Sequence, residues 1–312
     1  AVPSDVVGRL NKANSSGWRK TDEYVTHVTI NSQNLRGHET TYAKPADTYR
    51  VIVLGDSFVF AVQVDEPDTL VSRLATSLQP PAPFTKIETI NAGTDGWSTT
   101  NELAWLTTEG VHYEPDLVLL LFFVGNDPGE NADRVDGWLT ARQAPGPLRD
   151  LRMALAERSA FYSYLEYGVI ANLSASQDTT HQPIDETHTD DARRQDPTRQ
   201  DRGWAISGEL LARMRALSIE RQFDLVVVNV PTVELVSNPD WPERPLRGIT
   251  DRLGIPMIDL LPVFRDEPRD RQRRLYFRGN KHWTPSGHEL ATRVVTEQLT
   301  QRGLRSPRTG SS

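Results

Sequence analysis

Two short runs, VLLLFF at Val118–Phe123 and LVVVNV at Leu225–Val230, are nearly continuous in apolar side chains. A strand with one wet face alternates apolar with polar residues. These do not, so each must be covered on both faces, the environment of a parallel sheet between helical layers. Three further β-branched or apolar runs, Tyr49–Leu54, Lys86–Asn91 and Pro256–Ile258, share the pattern of short segments closed by turn residues, and the two core runs extend to Asp116–Phe123 and Asp224–Val230. Helical spacing falls between and after them, over Asp68–Leu78, Thr100–Glu109, Gly208–Arg221 and Pro285–Gln301. The order β-α-β-α-β, an interruption, then α-β-α predicts an α/β fold: a doubly wound three-layer α/β/α sandwich on a mainly parallel five-stranded sheet. In such a fold ligands gather outside the carboxyl ends of the strands.

Two stretches stand apart from that rhythm. Residues 1–45 precede the first core strand and contain one strand-like run, Tyr24–Ile30; they read as an N-terminal extension, an appended edge or lid on a domain spanning 46–312. Between 128 and 203 Pro, Asp, Arg, Gln and Thr dominate, with one amphipathic helical piece near Leu148–Tyr167. This reads as a lid-like insertion whose second half is too poor in large apolar residues to fold by itself. Its His181 and His188 have no accompanying ligands at metal spacing and read as solvated loop residues.

Composition removes several classes of function. With 42 acidic and 35 basic residues the net charge is −7, a field that repels nucleic-acid phosphate. There is no cysteine, so thiolate metal sites, disulfides and cysteine nucleophiles are excluded together. No apolar run approaches the roughly 20 residues that cross a bilayer; the expectation is no membrane insertion. The chain starts at Ala1 rather than Met, and the expectation is an extracellular or periplasmic protein from which a leader or anchor has been removed.

The chemistry-bearing residues fall on the edge where the strands end. Gly55-Asp56-Ser57-Phe58 follows the first core strand, and places a hydroxyl where glycine allows a tight turn toward a helix. An ordinary serine N-cap would look the same. The second strand runs into Asn91-Ala92-Gly93 and the third into Gly125-Asn126-Asp127. A Gly93 N–H and an Asn126 amide could donate to an oxyanion beside the Ser57 N–H; a turn glycine and an Asx turn are the plain alternatives. Near the end, Asn280-Lys281-His282-Trp283-Thr284-Pro285-Ser286-Gly287-His288 puts Thr284 and Pro285 at the start of the last helix. His282 then lies in the loop before it, within reach of the serine edge as a general base, whereas His288 falls inside the helix and reads as a packing residue.

With these four blocks in this order, the chain resembles the SGNH (GDSL-type) serine hydrolase superfamily, whose four named residues map to Ser57, Gly93, Asn126 and His282. The resemblance covers about 49–127 and 204–302 and implies a flavodoxin-like sheet, no metal and no organic cofactor. Relatives with this last block include bacterial esterases and the enzymes that acetylate or deacetylate exopolysaccharides and cell-wall glycans. It therefore implies hydrolysis or transfer of a short O-acyl group, such as acetyl, on a small-molecule or glycan ester. No G-x-S-x-G elbow is present, which argues against the α/β-hydrolase fold.

One departure matters. The family places an aspartate two or three residues before the histidine; here those places hold Asn280 and Gly279. The expectation is that Asn280, through its carbonyl oxygen, or else a backbone carbonyl, orients His282. A natural dyad, an engineered Asp-to-Asn replacement and an impaired protein that only binds an acylated glycan remain open readings. Asp56, Asp127, Trp97 and Trp283, next to the four blocks, are the candidate substrate contacts, the two indoles as stacking surfaces for a sugar or acyl chain. Oligomeric state is not legible.

Overall fold

The structure, a computed structural model, describes residues 2–4, 7–142, 197–238 and 245–303. Two antiparallel pairs come first: β1 (Val2–Ser4) with β2 (Gly8–Leu10), and β3 (Ser15–Lys20) with β4 (Val25–Ile30). The core strands are β5 (Thr48–Gly55), β6 (Lys86–Gly93), β7 (Leu117–Phe123), β8 (Asp224–Val230) and β9 (Met257–Asp259). They form one five-stranded sheet in the order β6-β5-β7-β8-β9, and every pair is parallel. The helices are α1 (Ser57–Phe60), α2 (Leu70–Ser77), α3 (Thr99–Thr108), α4 (Asp127–Arg142), α5 (Pro197–Glu220), α6 (Val233–Ser237), α7 (Leu246–Leu253), α8 (Leu261–Asp266), α9 (Arg269–Leu275) and α10 (Pro285–Arg302).

The apolar runs explain the layering. Successive side chains on a strand point to opposite faces. Val51, Val53, Leu119, Leu121, Val226 and Val228 therefore pack with Leu74 of α2 and Leu290, Val294 and Val295 of α10. Ile52, Leu54, Leu120, Phe122 and Val227 pack on the other face, with Leu103 and Leu106 of α3 and Leu210, Leu211 and Met214 of α5. The three-layer sandwich expected from the sequence is present. Its strand order reverses between β5 and β7, because α2 and α3 cross on opposite faces. A crevice opens at such a reversal beyond the carboxyl ends, and the loops after β5, β6 and β7 surround it.

Residues 1–45 are bound into this body. Arg36 bridges Ile30 on one side and Asn91 at the end of β6 on the other, and its guanidinium donates to the carbonyls of Phe60, Ala61 and Val64 just after α1. Asn101 of α3 donates to Val7 O at 2.7 Å. The expected insertion also has different ends. Residues 128–142 belong to α4, which packs on α5: Asn131 Nδ2 donates to Ser207 Oγ at 3.0 Å, and Asn131 Oδ1 accepts from Thr100. Gly203 passes so close to Pro128 that an added Cβ would lie 2.0 Å from its carbonyl oxygen. A buried polar pair and a glycine contact hold these helices together, so an apolar stripe gave no warning of them. The remainder of the expected insertion, 143–196, with Leu148–Tyr167, His181 and His188, lies outside the described residues. No helix among the described residues is long and apolar enough to cross a membrane.

Level pairing of Gly55 with Gly93 brings the end of β6 against α1. A Cβ on Gly93 would meet Phe60 N at 2.2 Å and Val59 C at 2.6 Å, main-chain atoms with no room to turn aside. Gly93→Ala should therefore lower stability by about 1–3 kcal/mol, the usual cost of overpacking. Gly17→Ala, where an added Cβ meets nothing within 4 Å, should stay within about 0.5 kcal/mol of the parent; urea unfolding midpoints compare the two.

Candidate active site

The chain leaves β5 at Gly55, turns at Asp56 and enters α1 with Ser57 at its first position. The cap of that helix is Asp56, whose Oδ1 accepts from Phe58 N at 2.9 Å. Ser57 is thereby relieved of capping, and its half-buried hydroxyl meets His282 Nε2 at 2.6 Å. The other ring nitrogen, Nδ1, lies 2.9 Å from the main-chain carbonyl of Asn280. A carbonyl oxygen only accepts, so Nδ1 carries the proton and Nε2 is left as the acceptor for the Ser57 O–H. Phe58 stacks on the imidazole, ring centroids 4.8 Å apart. Burial holds His282 below its ordinary value, opposed by the Asn280 carbonyl and by the charge of Asp95. The ring is thus neutral, the state a base requires.

Of the orienting groups expected from the sequence, it is a backbone carbonyl, that of Asn280 itself, that meets the ring. The Asn280 side-chain Oδ1 accepts from the His282 main-chain N–H at 3.0 Å, closing an Asx turn. Gly93 departs from expectation. Its N–H donates to Asn91 Oδ1 at 3.0 Å, and its carbonyl accepts from Asn11. Gly96 in the next turn has φ +73°; its N–H and that of Ser57 have no internal acceptor among the described residues. The Asn126 amide donates to Glu130 at 3.2 Å and Asp56 at 3.4 Å.

The four candidate substrate contacts are all interior. Trp97 is 1% exposed and its Nε1 donates to Arg9 O, while Trp283 is 0% exposed between Phe58, Phe264 and His288. Rings buried on all sides cannot stack on a ligand; their large apolar area is spent on packing. Asp56 and Asp127 are buried too, with Asp127 Oδ2 accepting from Phe123 N. His288, read as a packing residue, is buried and accepts from Leu70 N through Nδ1; burial pushes it down to about 3.

Behind Ser57 lies a feature the sequence did not announce. Asp56, Glu102 and Asp127 are fully buried near Glu130, and neither oxygen of Glu102 has a hydrogen-bond partner. Burial, reinforced by neighbouring carboxylates, raises all three, Asp56 to about 7 and the other two well above their ordinary values. Among the described residues no group of His, Asp and Glu is arranged to hold a metal ion. A carboxyl raised in the fold keeps a proton that the unfolded chain has lost, so its stabilising contribution is complete at low pH and declines as pH rises. Glu102→Gln should therefore flatten the fall in unfolding free energy as pH rises above the ordinary carboxylate range; an unaltered slope in urea titrations would show that Glu102 ionises freely.

Residues 190–310 match a family model described as the SGNH hydrolase-like domain of acetyltransferase AlgX. No curated protein sequence matches the chain. Among solved structures, a lipase/acylhydrolase from Enterococcus faecalis shares 14% identity at a TM-score of 0.40, over 84% of this chain and 99% of its own. An acetyl-xylooligosaccharide esterase from Geobacillus stearmophilus shares 12% at 0.45, over 84% and 97%. A two-domain esterase active on acetylated mannans shares 12% at 0.47, over 85% and 52%. At TM-scores below 0.5 these likenesses carry no functional weight. The family match makes residues 190–310 similar to an SGNH hydrolase-like domain, and the parallel sheet carries the four blocks along its carboxyl edge.

Proposed function

We propose that the chain hydrolyses or transfers an O-acyl group through an acyl-enzyme on Ser57, with His282 as the proton carrier. The observation that carries this reading is the 2.6 Å contact of Ser57 Oγ with the unprotonated ring nitrogen of His282. In the first half-reaction Oγ attacks the ester carbonyl as its proton passes to Nε2, and the imidazolium returns that proton to the departing alcohol. Water or an acceptor hydroxyl then attacks the acyl-serine, with His282 again taking and returning a proton. The Ser57 N–H and the Asn126 amide are the oxyanion donors of this proposal; a preorganised donor of this kind stabilises an oxyanion by about 3–4 kcal/mol. The Asn280 carbonyl keeps Nδ1 protonated through both steps, which supplies the tautomer a triad carboxylate ordinarily enforces.

The SGNH hydrolase-like match to an acetyltransferase family supports a short acyl group, acetyl first, on a small-molecule or glycan alcohol. An exported location is part of the same proposal.

A serine-directed fluorophosphonate should add its mass once to the parent chain and not at all to Ser57→Ala, in parallel with turnover of p-nitrophenyl acetate. Absence of both from the parent would turn the reading toward a protein that binds an acylated ligand without cleaving it. The acid limb of kcat/KM should lie below the ordinary histidine value, since burial lowers His282. Asp95 opposes that shift, so Asp95→Asn should move the limb to still lower pH. An unmoved limb would show that Asp95 does not act on the base.

A further inference from the structure

The Asn280 carbonyl replaces an ionic partner only if its turn is held still, and what holds the turn comes from far away in the chain. Phe277 N donates to His282 O at 2.8 Å and Lys281 N to Phe277 O at 3.1 Å, closing a tight loop in which Lys281 takes φ +58°. A non-glycine residue in that region is strained and persists only where its surroundings over-determine it. At the open end of the loop, Arg278 N donates to Glu23 Oε1 at 2.7 Å and Gly279 N to Glu23 Oε2 at 2.9 Å. One carboxylate thus takes two consecutive main-chain donors, and such charge-assisted pairs are the stronger kind of hydrogen bond.

Glu23 is itself fixed. It sits in the turn between β3 and β4, where Thr21 Oγ1 accepts from the N–H groups of Glu23 and Tyr24, and Tyr24 packs on Phe277 with ring centroids 5.3 Å apart. A Cβ at residue 279 would lie 2.8 Å from Glu23 Oε2, so the glycine immediately before the residue whose carbonyl meets the imidazole is part of the same fit. The field of Glu23 is not among the influences on His282, which are burial, the Asn280 carbonyl and Asp95. Glu23 acts through the shape of the turn.

We propose that Glu23 is a positioning residue of this site: from the N-terminal hairpin it grips the turn that carries Asn280 and His282, and so does at second hand what a triad carboxylate does by bonding the ring directly. This rests on the reading of Ser57 and His282 as nucleophile and base. Residues 1–45 are then a working part of the active site.

The test uses the full chain with Glu23→Ala and Glu23→Gln, each checked for folding by its thermal midpoint. Two readouts are taken: kcat and KM on p-nitrophenyl acetate, and the His282 ring nitrogen resonances, which report the Nδ1–H tautomer. Loosening the turn by an ångström should cost Glu23→Ala about 10²-fold in kcat, with KM unchanged and the Nδ1–H signal weakened or lost. Glu23→Gln, which keeps one acceptor and sets an NH2 against the second donor, should fall between; if Glu23→Ala does not fold, it carries the test alone. Folded variants with parental kcat and an unchanged His282 spectrum would overturn the proposal, as would a loss confined to KM. If the parent neither labels nor turns over, the ester reading fails, and the His282 spectrum alone decides the role of Glu23.

Discussion

The site depends on the seating of a helix too short to hold itself. Four residues, Ser57–Phe60, make one turn, and a helix of that length has no stability of its own in water. It persists because its main chain is gripped from outside. Gly93 lets β6 approach it within van der Waals limits, Asn91 Nδ2 donates to Val59 O, and the Arg36 guanidinium takes the carbonyls of Phe60 and Ala61. Asp56 supplies the first-turn acceptor. The grips come from residue 36, from the cap at 56 and from the end of β6, so the hydroxyl position is a property of the assembled domain.

Electrostatics divides this small region into two kinds of ground. On the solvent side the imidazole is neutral because it is desolvated, and its orientation is set by peptide groups. On the interior side burial and mutual repulsion push the carboxyls of Asp56, Glu102 and Asp127 above their ordinary values, Asp56 to about 7. In the proposed role of Ser57 as nucleophile, every carboxyl there that stays protonated is one anion fewer to oppose the negative charge of the attack.

The sheet was legible because its signal is local. Leu117–Phe123 and Asp224–Val230 announce burial on both faces within seven residues, and every core strand fell within two residues of its expected ends. Ser57 and His282 were legible because turn chemistry and a helix start mark their places. What escaped was information that exists only between segments. Trp97 and Trp283 were read as candidate substrate contacts from their neighbours in sequence, and only the packed layers show them enclosed. Asn131 and Gly203 bind α4 to α5 through one amide and one missing Cβ, which periodicity does not register. Glu23 gave no signal at all, since its partners are main-chain atoms more than two hundred and fifty residues away.

A peptide carbonyl as the imidazole's acceptor has a consequence for mutational tolerance. Every residue type has that oxygen, so no exchange at position 280 can delete it as an exchange would delete a catalytic carboxylate. Fragility passes instead to whatever sets the path of the backbone. Lys281 at φ +58° is the exposed point, because a β-branched residue or proline there cannot follow the turn without strain. Genetic drift would thus find this centre permissive in chemical identity and strict in geometry.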